Sequence, residues 1–299
     1  MTGQGFPSHS PVLEKQAVEL LVTNPGGVYF DGTVGLGGHS AAILGKLANQ
    51  GFLIGADLDP ESLAIARERL SAFEGHFRLL RGNFANPGEI LKTAGAGNLD
   101  GALLDLGISS MHFDDPSRGF SIRNEGPLDM RLDRSSGASA ADIVNGWPVE
   151  MLADLFSRCG EERQARKAAM AIGTRRAAKP IQTTKDLKET LEKALGGRSG
   201  RIHPATKCFM ALRIEVNREL DNLAIGLEQI SNFIKAGGRM VIISFHSLED
   251  RITKNFFRQL CARETWRAVT KKAVCADEEE VRRNPRARSA KLRAVERIR

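Results

Sequence analysis

Asp31-Gly32-Thr33-Val34-Gly35-Leu36-Gly37-Gly38-His39 is the stretch from which the rest of the chain can be read. It follows a short apolar run, Val28-Tyr29-Phe30, and leads into Ser40 to Leu47, where apolar residues recur at helical spacing. A strand, a glycine-rich turn and a helix in that order bring backbone N–H groups close to a ligand at the carboxyl end of the strand. The dinucleotide fingerprint G-x-G-x-x-G fails here, because counting from Gly35 its last place is Ser40. The turn therefore speaks against a pyrophosphate and for a smaller nucleoside cofactor.

The same rhythm continues on either side. Val12 to Leu21 has the helical period, with Ser10-Pro11 as a start signal. Phe52 to Ala56 reads as a second buried strand closed by Asp57, and Pro60 to Leu70 as the next helix. Phe77 to Leu80 is a third strand, followed by Asn83-Phe84, and Gly101 to Leu104 is a fourth, closed by Asp105. Strands and helices alternating at this pace predict an α/β fold with a doubly wound, mostly parallel sheet. Asp57 lies 19 residues after Gly38, a suitable distance for a carboxylate that accepts both ribose hydroxyls. Asn83-Phe84 offers a polar group and a ring to adenine. This arrangement is similar to the class I S-adenosylmethionine-dependent methyltransferases.

After Asp105 the alternation stops. Short helix-like segments, many Gly and Pro, and no convincing strand run from about Phe113 to Pro204. A long amphipathic segment, Met210 to Ile234, then precedes Gly237-Gly238 and the apolar run Met240 to Ile243. The expected organisation is a discontinuous cofactor-binding domain, 1–112 and 211–299, interrupted by a helical domain at 113–210. The stretch Asp277 to Glu280 reads as a loop before a final strand.

The net charge of +7 is unevenly spread. Arg163 to Arg213 carries about +10 and Arg282 to Arg299 about +7, leaving the remainder strongly acidic. An acidic body with two basic zones suits an enzyme that binds a polyanion, although basic runs are also common on plain solvated faces. No apolar stretch is long enough to cross a membrane, and the start does not read as a secretory signal. The four cysteines, Cys159, Cys208, Cys261 and Cys275, form no C-x-x-C pair, which fits a reducing cytoplasm. No His, Cys or carboxylate group has metal-ligand spacing.

Nine stretches in order resemble one family, ribosomal RNA small subunit methyltransferase H. They are His9-Ser10-Pro11-Val12-Leu13, the glycine turn Asp31 to Ser40, Leu104-Asp105-Leu106-Gly107-Ile108-Ser109-Ser110, Arg118-Gly119-Phe120-Ser121 and Gly126-Pro127-Leu128-Asp129-Met130-Arg131. Gly160-Glu161-Glu162-Arg163, His203-Pro204-Ala205-Thr206, Ser244 to Arg251 and Asn284 to Ser289 complete the set. The resemblance implies methylation of the exocyclic amine of a cytidine in the decoding region of 16S ribosomal RNA, with S-adenosylmethionine as cofactor. It implies cofactor contacts at Gly37, Gly38, His39, Asp57, Phe84, Asp105 and His112, the last standing where the family usually has Gln. The implied partner is 16S ribosomal RNA in the small subunit, in the cytoplasm. A homodimer is left open.

For the chemistry, Asp105 is the first candidate to accept the amine N–H, and it serves equally well as a cofactor ligand only. The Asp/Asn-Pro-Pro-aromatic motif of many amino-methyltransferases is absent, since the chain has Asp105-Leu106-Gly107-Ile108. Phe245 is read either as a platform for a flipped base or as core. His246 either meets the amine or caps the helix opening at Leu248. Arg163, Arg166, Lys167, Arg175, Arg176 and Lys179 recur at roughly helical intervals and are expected to face RNA phosphates, with Arg286 and Arg288 adding contacts from the tail. Two other function classes compete: an RNA-binding ribosome-assembly factor on the same fold, and a methyltransferase for DNA or small molecules. Intact strand-end acids disfavour the former and two basic zones disfavour a small molecule. Only the resemblance separates RNA from DNA.

Overall fold

Apolar runs closed by acids become strands whose two faces are both covered. The computed structural model describes residues 11–196 and 203–299, so the Ser10 start signal and His9 lie outside the described residues. The chain divides into two compact units, one running to Gly107 and resuming at Leu220–Arg299, the other Ile108–Glu219. The second unit is thus wider than the 113–210 expected from the sequence.

The first unit begins with α1 (Glu14–Leu21), β1 (Val28–Asp31), α2 (Gly38–Leu47), β2 (Phe52–Asp57), α3 (Pro60–Arg69), β3 (Phe77–Arg81), α4 (Pro87–Ala94) and β4 (Leu99–Asp105). The second unit holds α5 (Ser110–Asp114), α6 (Ala140–Gly146), α7 (Val149–Arg158), α8 (Ala165–Ala178), α9 (Thr184–Leu195) and α10 (Thr206–Val216). The chain then returns through α11 (Glu219–Ser231), β5 (Ile234–Ser244), α12 (Ser247–Ala262), β6 (Trp266–Ala268), α13 (Glu278–Arg283) and β7 (Lys291–Arg297).

The seven strands form one sheet in the order β3-β2-β1-β4-β5-β7-β6. The first five are parallel to their neighbours, and β7 enters antiparallel between β5 and β6. Successive side chains on a strand point to opposite faces, and the core divides accordingly. Tyr29, Leu53, Leu103, Val241 and Ile243 pack toward α1, α2 and α3. Phe30, Ile54, Leu104, Met240 and Ile242 pack toward α4, α11 and α12. The glycines ahead of Met240 make an irregularity, since the β4–β5 pairing advances from Leu99 to Gly101 on one strand and from Ile234 to Arg239 on the other.

Three sequence expectations need correction. The amphipathic stretch Met210 to Ile234 is two helices, because Asn217 leaves α10 to bond the Met130 carbonyl (2.8 Å) and the Leu132 amide (2.9 Å), and Arg218 turns left-handed at φ 49°. The expected loop at Asp277 contains α13, capped by Asp277 on the Glu280 amide (2.8 Å), with acids in its first turn and arginines in its last as the helix dipole favours. The first helix starts two residues later than read, after Leu13, a buried residue in the left-handed region (φ 54°). The Leu13 amide is taken by Glu280 Oε1 at 2.6 Å, so the C-terminal helix holds the segment in front of α1.

In the second unit, α7 packs on α8 and α8 on α9. The extended run before α6 is tied down by polar contacts instead of strands. Asp129 takes the Arg131 guanidinium at 2.8 and 2.9 Å, and Arg118 donates to the Leu132 carbonyl at 3.0 Å. Among the described residues no helix is long and apolar enough to cross a membrane.

Gly32 sits where the glycine turn leaves the sheet. A Cβ there would lie 2.5 Å from Leu104 Cδ2 and 2.8 Å from Phe84 Cβ. Gly32→Ala is expected to cost about 1–3 kcal/mol by overpacking, read as a lower urea midpoint at unchanged m.

Candidate active site

Parallel pairing brings the carboxyl ends of β1, β2 and β4 to one edge, and with them Asp31, Asp57 and Asp105. The turn after β1 is shaped for this edge. Gly37 adopts φ 77°, open to glycine at little cost, and its amide closes onto the Val34 carbonyl at 2.8 Å. Gly38 opens α2 against Pro11, whose Cγ would be 2.5 Å from a Cβ at that position. Gly35, also left-handed at φ 51°, faces open space.

Asp57 joins the turn to the end of β2. Its carboxylate accepts the Gly35 amide at 2.7 Å on one oxygen and the Asp59 amide at 3.0 Å on the other. A carboxylate accepts from several donors on its two oxygens, the chemistry that suits a vicinal pair of hydroxyls. Phe84 follows β3, half-buried, its ring edge against Gly226 of α11, where a Cβ would lie 2.6 Å from Cδ2.

The centre of the site is a polar cluster that the sequence only partly announced. Asp31, fully buried, accepts the Ser40 hydroxyl at 2.6 Å and the Thr33 amide at 3.1 Å. Thr33 Oγ1 in turn accepts the Asp105 amide at 2.6 Å. His39, 6% exposed, places Nε2 3.0 Å from the Val12 carbonyl and Nδ1 3.4 Å from Asp105 Oδ2. Asp105 Oδ1 is shielded from water and has no partner. Burial pushes the Asp31 carboxyl up to about 6, and the nearby Asp105 charge adds to this; the Ser40 hydroxyl, His39 and the Thr33 amide pull it back without cancelling it.

At the end of β5, Phe245 lays its ring over Gly107, where a Cβ would meet the ring at 2.8 Å. His246 is the N-cap of α12: its Nδ1 accepts the Glu249 amide at 3.4 Å, and Glu249 accepts the amides of Phe245 (2.7 Å) and His246 (3.2 Å). Helix capping is therefore a role His246 has in this fold. With Nδ1 committed to the cap, a neutral ring keeps its proton on Nε2, 3.1 Å from Glu249 Oε1. His112 lies in the second unit, buried, its ring 5.5 Å from that of Phe120.

The basic residues separate into two groups. Arg163, Arg166 and Lys167 are exposed along one side at the start of α8. Arg175 and Arg176 are half-buried and internally engaged, Arg175 with Asp186 (3.1 Å) and the Lys179 carbonyl (2.6 Å), and Arg176 with the Val144 carbonyl (2.7 Å). Arg286 and Arg288 are exposed on the turn before β7. Sequence reasoning quoted Asp31 and Thr33 within the glycine turn, and Ser40 and Glu249 within the family stretches, and gave none of them a role of its own. Asp31 gave a signal, an acid ending the first strand as Asp57 and Asp105 end theirs.

The sheet order with its antiparallel β7, the glycine turn after β1 and the acid closing β2 define a class I S-adenosylmethionine-dependent methyltransferase. The chain belongs to the MraW methylase family, which it matches over residues 7–298. It is 47% identical to the ribosomal RNA small subunit methyltransferase H of Trichlorobacter lovleyi, covering 97% of this chain and 98% of that one. It is 46% identical to the proteins of the same name from Syntrophotalea carbinolica, with full coverage of both, and Coprothermobacter proteolyticus, with 96% and 95%. Family membership agrees with the resemblance read from the motifs and makes the chain an enzyme.

The raised Asp31 group has a stability consequence. As pH rises from about 4 to 6 the unfolded chain releases this proton before the folded one does, so folding weakens by roughly 3 kcal/mol above pH 6. Asn in its place can accept from Thr33 and donate to the Ser40 hydroxyl. Asp31→Asn is expected to flatten this dependence, gaining stability relative to the parent at pH 8 but not at pH 4 in urea titrations.

Proposed function

We propose that this protein methylates the exocyclic amine of a cytidine in the decoding region of 16S ribosomal RNA, acting in the cytoplasm on RNA of the small subunit. The observation that carries the chemistry is Asp105 Oδ1, an acceptor with no partner at the end of β4, next to a glycine turn fit for a nucleoside. The names of the relatives support the RNA.

S-Adenosylmethionine, when bound, supplies an electrophilic methyl group on a sulfonium. Asp57 would hold its ribose hydroxyls, Phe84 would flank the adenine, and Gly37, Gly38 and the main chain of His39 would line the amino-acid end. His112 completes the set by resemblance to the family. A cytidine amine is a weak nucleophile because its lone pair is delocalised into the ring. Asp105 accepts one amine N–H, favours rotation of the lone pair toward the methyl carbon and stabilises the positive charge that develops on nitrogen. Transfer would leave the S–C electron pair on the cofactor's sulfur, and the proton released from nitrogen would pass to the Asp105 carboxylate and from there to solvent. His246, committed to its helix cap, is better placed to orient the base than to take this proton. Phe245 offers a ring face for the flipped base.

Arg163, Arg166 and Lys167 offer exposed cations to RNA phosphates on the second unit, and Arg286 and Arg288 do so on the first. Arg175 and Arg176 contribute field and scaffolding instead, because their guanidinium groups already hold α8 to its neighbours.

Labelled methyl transfer to small subunits and naked 16S RNA from cells lacking this protein is expected to yield N-methylated cytidine. Label on another base or on DNA would overturn the assignment. Asp57→Ala should weaken cofactor binding about 10–150-fold with RNA affinity unchanged, measured by calorimetry and filter binding. Arg166→Glu with Lys167→Glu should weaken RNA binding and lower its salt slope by roughly 1 to 2, leaving cofactor affinity intact.

A further inference from the structure

We propose that His39 is a positioning residue for methyl transfer, held as an imidazolium between the Val12 carbonyl and Asp105 so that Asp105 Oδ2 is occupied and Oδ1 is directed to the substrate amine. This rests on the reading of Asp105 given above and assigns the side chain of His39 a role distinct from lining the cofactor.

The geometry leaves the ring little freedom. A carbonyl oxygen can only accept, so Nε2, 3.0 Å from Val12, must carry hydrogen. An ionised carboxylate can only accept, so Nδ1, 3.4 Å from Asp105 Oδ2, is satisfied only if it carries hydrogen too. Both conditions are met when the ring carries hydrogen on each nitrogen. The charged groups facing the ring are Asp31 from β1 and Asp105 from β4; α2 adds the Ser40 hydroxyl bonded to Asp31, and the segment before α1 adds the Val12 carbonyl. Burial opposes a cation here, but the bond to Asp105, the charges of both acids and the Val12 carbonyl outweigh it and hold His39 above the usual histidine range.

The main chain of Asp105 is fixed as well, through its amide on Thr33 Oγ1. Main chain and Oδ2 are then both held, and the remaining freedom of the carboxylate is small. Buried polar atoms are almost always bonded, so an unpartnered Oδ1 beside an oxygen paired with His39 fits an acceptor kept for a ligand. A hydrogen-bonded second residue of this kind typically sets the orientation of the group that does the chemistry.

Two measurements test this. In the intact protein with 15N-labelled histidine, the His39 signals, assigned by their loss in His39→Gln, should show both ring nitrogens protonated at pH 7.5 and should shift to a neutral pattern in Asp105→Asn. A neutral His39 in the parent protein at pH 7.5 would overturn the proposal whether or not any variant folds. In single-turnover transfer, His39→Ala should lower the rate 10–100-fold with cofactor Kd changed less than threefold, and should abolish the alkaline loss of rate expected of the parent. His39→Gln, which can still donate to one partner, should recover part of that rate. A rate within threefold of the parent, or a loss matched by an equal rise in cofactor Kd, would overturn it. If the parent transfers no methyl to cytidine, the functional reading fails, and the nitrogen signals still decide whether the ion pair exists.

Discussion

Thr33 bonds in two directions: its amide donates to the buried Asp31 and its hydroxyl accepts the amide of Asp105. Through this residue the end of β1 is locked to the end of β4, the two central strands of the sheet. The glycine turn must leave β1 at that point and clear both Leu104 and Phe84, which only Gly32 allows. Ser40 on α2 closes the same cluster from the helix side. The placement of Asp57, His39 and Asp105 all follows from how the chain exits one strand. A carboxyl group buried at the hub costs stability at neutral pH, and the surrounding donors offset only part of that cost.

Such a hub is tolerable because the sheet beneath it is well covered. Both faces of the parallel strands meet helices, and the alternation of Tyr29 with Phe30, or Leu103 with Leu104, sends large apolar groups to each side. A rigid layered base is what lets a polar cluster at its edge keep unpaired capacity in a fixed direction. The insert has another character: short helices and an extended run pinned by Asp129, Arg118 and Asn217, with guanidinium groups spent on carbonyls and acids.

Much of the fold was legible because its signals are local. Strands closed by Asp31, Asp57 and Asp105 and a turn of glycines read out at once. What escaped depends on contacts distant in sequence or on elements too short for periodicity. The break at Asn217 comes from partners near Met130, some 87 residues away. The helix α13 spans six residues, and the short β6 gains its place only by pairing with β7. His39 illustrates the limit best: the family resemblance implied a cofactor contact, and only the fold shows its ring nitrogens between the Val12 carbonyl and Asp105. Spacing also made Arg175 and Arg176 look equivalent to Arg166 and Lys167, and burial separates them.

The bond from the Leu13 amide to Glu280 joins residues 267 positions apart. Val12, whose carbonyl orients His39, belongs to the segment that this bond secures. During synthesis the sheet's first four strands and their helices leave the ribosome long before α13 does. A nascent chain can therefore assemble its nucleoside-binding half early, while the His39 clasp stays incomplete until α13 has been made.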